Sequence, residues 1–126
     1  MKYLTFMRCS EKFNAGAAPP AFMQAMGRFA EQSTKDGVLV DTAGLLPSNE
    51  ASILRLKQGE ITVTDGPFTE TKEVIGGYAI IRAQDKASVM RVAREFMELH
   101  RKHWPGFEGE CEVRQLFDES NAPRHR

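Results

Sequence analysis

The residues best suited to chemistry in this chain crowd into one short stretch, positions 65–78, which reads DGPFTETKEVIGGY. Asp65, Glu70, Lys72 and Glu73 offer three carboxylates and an amine. Such groups, if they converge on a cleft, shift one another's proton affinities and can bind or transfer protons. His103 is the best general acid or base outside the stretch, because an imidazole titrates near neutrality and this one closes a helical pattern beside Trp104-Pro105. Asp65 and His103 are therefore the candidate catalytic residues. Phe68, Glu70, Lys72, Glu73 and Tyr78 are candidate binding residues, joined by Arg8 and Arg114 from two strands expected to be neighbours. Each has a plainer reading. A charge cluster on a loop is commonly solvated, and His100 and His103 with Arg101 and Lys102 make the cationic last turn that suits a helix dipole.

The first four residues of the stretch are turn formers. Asp65 can bond its own downstream backbone, Gly66 tolerates unusual dihedrals, Pro67 fixes φ, and Phe68 can anchor the turn to a sheet. Gly76-Gly77 suits a bulge or a close backbone approach ahead of Tyr78. No phosphate-binding loop, dinucleotide fingerprint or nucleophile elbow is present. Cys9 and Cys111 lack metal-ligand spacing, so no metal or cofactor is expected, and two reduced thiols fit a cytoplasmic chain.

The elements that must position these groups follow from periodicity. Residues 2–8 alternate as a strand, with Leu4 and Phe6 on one side and Tyr3, Thr5 and Met7 on the other. Residues 21–35 place Phe22, Met26, Phe29 and Ala30 on one helical face, stopped near Asp36-Gly37. An extended segment over 38–46 is followed by a hairpin, 52–57 and 61–64, turning at Gln58-Gly59. A buried strand over 78–82 leads through Asp85, a good N-cap, to a helix over 86–101 with Val89, Val92, Ala93, Phe96 and Met97 on one face. A last strand spans 111–117. Met23, Met26, Met90 and Met97 fall at packing positions on the helices.

This order predicts an α+β fold, ferredoxin-like βαββαβ with an inserted β-hairpin, in one domain over residues 1–118 with a polar tail over 119–126. Two helices cover one sheet face only, so the apolar second face predicts a two-fold homodimer. The topology also brings Cys9 near Cys111. Lys plus Arg total 17 and Asp plus Glu total 17, so no charge excess favours direct nucleic-acid binding. The opening MKYLTFMRCSEKF suits neither a signal peptide nor a membrane span.

At this point the chain resembles the DGPF-domain branch of the YCII-related family. The resemblance is carried by the first strand MKYLTFMR, by Gly37-Val38-Leu39-Val40 and Gly44-Leu45, by Val63-Thr64-Asp65-Gly66-Pro67-Phe68, by Thr71-Lys72-Glu73 and Gly76-Gly77-Tyr78, and by Glu112-Val113-Arg114. It implies a dimeric α+β barrel in small bacterial cytoplasmic proteins of mostly unassigned role, some linked to extracytoplasmic-function sigma factors. It also implies, for the wider family, a His and Asp pair with the histidine on the first helix. This chain has no histidine between Pro20 and Lys35; its three are His100, His103 and His125. Two readings therefore stand. One is a small-molecule-binding protein, with or without catalysis, using the dimer groove; the other is a non-catalytic dimeric regulatory or interaction module.

Overall fold

A computed structural model of the chain describes residues 1–68, 73–118 and 121. The order is β1 (Lys2–Cys9), α1 (Pro20–Lys35), β2 (Leu39–Gly44), β3 (Ser52–Lys57), β4 (Glu60–Asp65), β5 (Val74–Arg82), α2 (Lys86–His103) and β6 (Gly109–Gln115). β2, β5, β1 and β6 form one antiparallel sheet in that spatial order, and β3 pairs with β4 alone. This is the ferredoxin-like α+β arrangement with its inserted hairpin.

Local chemistry accounts for the elements. Alternation along β1 buries Tyr3, Thr5, Met7 and Cys9 beneath the helices and leaves Leu4, Phe6 and Arg8 half-buried on the opposite face. Pro20 opens α1 in a turn where its missing N–H costs nothing. Gly37, at φ 75°, then closes it by donating its amide N–H to the Thr34 carbonyl at 3.0 Å. Asp85 caps α2 by accepting the Ser88 amide at 2.9 Å. Gln58 and Gly59 both take positive φ, which gives the hairpin a turn twisted like its strands. Tyr3, Ile81 and the fully buried Val89 centre the core between the helices and the sheet.

β5 begins at Val74, four residues ahead of the expected start at Tyr78. Gly76 and Gly77 lie inside the strand, where its register against β1 shifts beside Met7 and Arg8. Both glycines are held by crowding: a Cβ on Gly76 would stand 3.1 Å from the Cys9 sulfur, and one on Gly77 would stand 2.9 Å from the Ala43 carbonyl oxygen. β6 likewise starts and ends two residues before the span expected for it. It pairs Met7 with Cys111 and Cys9 with Gly109, so the two cysteines are diagonal neighbours on one face, and both are free thiols.

Candidate functional site

The sheet has two faces, and each gathers polar groups differently. On the face away from the helices, the register places Leu4 and Phe6 of β1 beside Ile80 and Tyr78 of β5. At the β6 side, Arg8 bonds Glu112 at 2.6 Å and Glu110 at 3.4 Å, Arg114 pairs with Glu112, and the Arg8 guanidinium stands 5.3 Å from the Phe6 ring centre. Hydrogen bonding to Arg8 holds the Glu112 carboxyl below its ordinary range. At the β2 side, the Tyr78 hydroxyl donates to Asp41 at 3.0 Å, and that bond pushes its proton affinity up. Arg8, Arg114 and Tyr78 thus share one open surface.

The Asp65 turn serves another purpose. Asp65 accepts the Ser52 hydroxyl at 2.5 Å, tying β4 to β3, and the Gly66 amide donates to the Ala51 carbonyl at 2.7 Å. Gly66-Pro67 is a cis peptide. The Phe68 amide donates to the Ser48 hydroxyl at 3.3 Å, and the Ser48 amide donates to Glu11 at 2.9 Å. The motif therefore docks onto the turn after β2, which is itself held from the end of β1. Glu70 and Lys72 lie outside the described residues. Glu73 borders an open surface cleft together with Lys12, Glu98 and Glu108. His103, half-buried in the last turn of α2, borders neither that cleft nor the cavity between the helices and the sheet.

Between the helices and the sheet lies a cavity of about 380 Å³, walled mainly by apolar side chains, within the range typical of small-molecule sites. Thr5, Met7 and Cys9 form its floor, α1 contributes Phe22, Met26 and Phe29, and α2 contributes Phe96 and His100. His100 is 6% exposed and sits among aromatic rings, 4.5 Å from Phe22 and 4.6 Å from both Phe96 and Phe107, centre to centre. Its Nδ1 is 2.9 Å from the Phe96 carbonyl oxygen. A carbonyl only accepts, so Nδ1 carries the proton and Nε2 presents a lone pair. No described residue bonds that Nε2. Burial lowers the imidazole's proton affinity, keeping it neutral. Burial likewise raises the thiols of Cys9 and Cys111, so neither is a ready thiolate.

His100 corrects the expectation of a wholly cationic last turn, for it faces inward while Arg101 and Lys102 face solvent. A signal for this existed in the sequence. Val89, Ala93, Phe96 and His100 continue one helical stripe at spacings of four, three and four, and the polar residue at its last position hides that position from an apolar pattern.

Residues 1–99 match the family model of the YCII-related domain. The chain belongs to the YCII-related family. It is also 33% identical over 73 residues to an uncharacterized protein of Rhizobium meliloti (strain 1021), a match that covers 58% of this chain and 59% of that relative's length. In this YCII-related protein α1 carries no histidine, and the imidazole in the layer between helices and sheet comes from α2 instead. Among the described residues no three His, Cys, Asp or Glu side chains are grouped to hold a metal ion, and no helix is long and apolar enough to cross a membrane.

Proposed function

We propose that this YCII-related protein binds a small, mainly apolar molecule carrying a hydrogen-bond donor in the cavity between its helices and sheet. His100 Nε2 is the acceptor. The observation that carries this reading is the largely buried His100 imidazole at the wall of an apolar cavity, its Nδ1 bonded to the Phe96 carbonyl and its Nε2 without a protein partner among the described residues, so that a ligand's donor can be accepted there. The same lone pair could accept a proton from a bound acid, which is the route by which binding would become catalysis. The protein acts in the cytoplasm, where its two thiols stay reduced, as a homodimer joined through the open sheet face.

Phenol and toluene test the reading, because they share a ring and differ by one donor. Phenol should raise the thermal midpoint more than toluene, corresponding to about fivefold tighter binding, the scale of one net hydrogen bond. His100→Phe should erase the difference. Equal responses to both ligands in the wild type would remove His100 from the site.

A second reading draws on the hairpin. Leu54, Leu56, Ile61 and Val63 share one face by register and are 61–71% exposed, and an isolated two-stranded sheet is barely stable in water. This surface favours an interaction module; a regulatory role linked to sigma-factor-dependent transcription is what the family resemblance adds to it. A fold-competent Leu54→Asp, Val63→Asp variant that lost a protein contact while still binding phenol would assign the partner function to the hairpin.

A further inference from the structure

The open sheet face carries a row of side chains that is its own complement. The pairings of Asp41 with Ile80, Ile80 with Leu4 and Leu4 with Arg114 set these residues in line across β2, β5, β1 and β6. A carboxylate stands at one edge of the face, a guanidinium at the other, and apolar side chains lie between. The next row is Ala43, Tyr78, Phe6 and Glu112. Asp41 is exposed, accepts from the Tyr78 hydroxyl and the Thr42 amide, and makes no ion pair among the described residues. Arg114 shares Glu112 with Arg8, and its side chain is 73% exposed, so the guanidinium keeps donors open to a second carboxylate.

Symmetry decides which way a second copy can lie on this row. Facing sheets stack about 10 Å apart with their strands within about 30° of alignment, close enough for an arginine to reach across. The two-fold axis of a homodimer, lying between the sheets, runs either along the strands or across them. Along the strands at the middle of the sheet, it exchanges the β2 and β6 edges and sets each row over itself. Asp41 then meets the partner's Arg114, Ile80 meets the partner's Leu4, and Tyr78 meets the partner's Phe6. Across the strands, the axis sets β2 over β2, and since β2 contains no cation, Asp41 meets none. Lys2 and Arg82, paired at the end of the sheet, are exposed where long side chains turn to water in either arrangement.

We propose that a second copy covers this face with the two-fold axis along the strands, so that Asp41 of each subunit pairs with the partner's Arg114. The inference rests on the reading of the open face as a homodimer interface and fixes how the two sheets are oriented. The pair occurs twice in the dimer, at the rim of the apolar patch formed by Leu4, Phe6, Tyr78 and Ile80. At such a rim opposite charges align the partners and like charges exclude the wrong alignment.

Charge reversal tests the arrangement in the full-length chain, by sedimentation equilibrium at low salt with circular dichroism to confirm the fold. Asp41→Arg and Arg114→Asp, each of which sets like charges together twice in the dimer, should each weaken association at least about tenfold. The double variant restores the pair in reverse and should return to within about threefold of the wild type. Should a reversal unfold the protomer, Asp41→Asn and Arg114→Gln carry the same test, because their double variant should associate no more weakly than either single one. A double variant as weak as the two losses combined would overturn the inference and leave a homodimer of another orientation standing. A wild-type protein that stays a protomer would overturn both.

Discussion

Gly66 and Ser48 are in backbone contact so close that a Cβ on Gly66 would lie 1.7 Å from the Ser48 carbonyl oxygen. The second residue of the Asp65 turn is glycine because the turn after β2 occupies the space of any side chain. The motif that marks the family is, in its first half, a lock between two turns.

Gly66→Ala should therefore destabilise the fold by about 1–3 kcal/mol, the usual cost of forcing extra volume into a packed site. Asp65→Ala, which removes one exposed bond to Ser52, should cost less than about 1 kcal/mol. Urea denaturation of both variants checks the order. A Gly66→Ala protein as stable as the wild type would mean that the two turns are not docked.

Gly27 makes the opposite case. It lies within α1, and a Cβ there meets no atom within 4 Å, so Gly27→Ala should raise stability by about 0.5–1 kcal/mol through helix propensity alone. A fall in the thermal midpoint would show a close neighbour at that position.

Much of the architecture was legible in the sequence because its signals are local. The alternation of β1, the Asp85 cap and the Gln58-Gly59 turn each depend on a few adjacent residues. The start of β5 was not legible, since Gly76 and Gly77 are poor strand formers and only pairing with β1 and β2 extends them. The cavity was not legible for a similar reason. Its walls come from both helices and from several strands, and the neutrality of His100 follows from rings on α1 and beyond α2 that no spacing rule links to it. Within one protomer the described candidate residues occupy separate places: Arg8, Arg114 and Tyr78 on the open face, Asp65 and Phe68 in the docked turn, Glu73 at the cleft.

His100 also sets a pH dependence. Burial lowers its folded-state proton affinity below the unfolded value, so between the two the unfolded chain binds more protons. The stability this gives neutral His100 is fully present above the unfolded pKa of about 6.5 and is lost as pH falls through it toward the folded value. Glu112 and Asp85, both lowered by hydrogen bonds, lose their contributions only at more acidic pH. Chemical denaturation from pH 7.5 to 5.5 should show wild-type stability declining, and His100→Phe should flatten the decline. An unchanged slope in the variant would place the titration elsewhere.

The open sheet face should join two chains. Sedimentation should give a mass near twice the 14.2 kDa protomer. Phe6→Glu, which sets a carboxylate among Leu4, Tyr78 and Ile80, should give protomers. A wild-type protein that sediments at the protomer mass at high concentration would remove the dimer.

The central claim concerns a single nitrogen. Long-range ¹H–¹⁵N spectra of the uniformly labelled protein should show His100 with a protonated Nδ1 and a bare Nε2 at pH 7. Adding phenol should move the Nε2 resonance saturably, in the direction of an accepted hydrogen bond. An Nε2 already protonated in the free protein, or one unmoved at saturating phenol, would contradict the account.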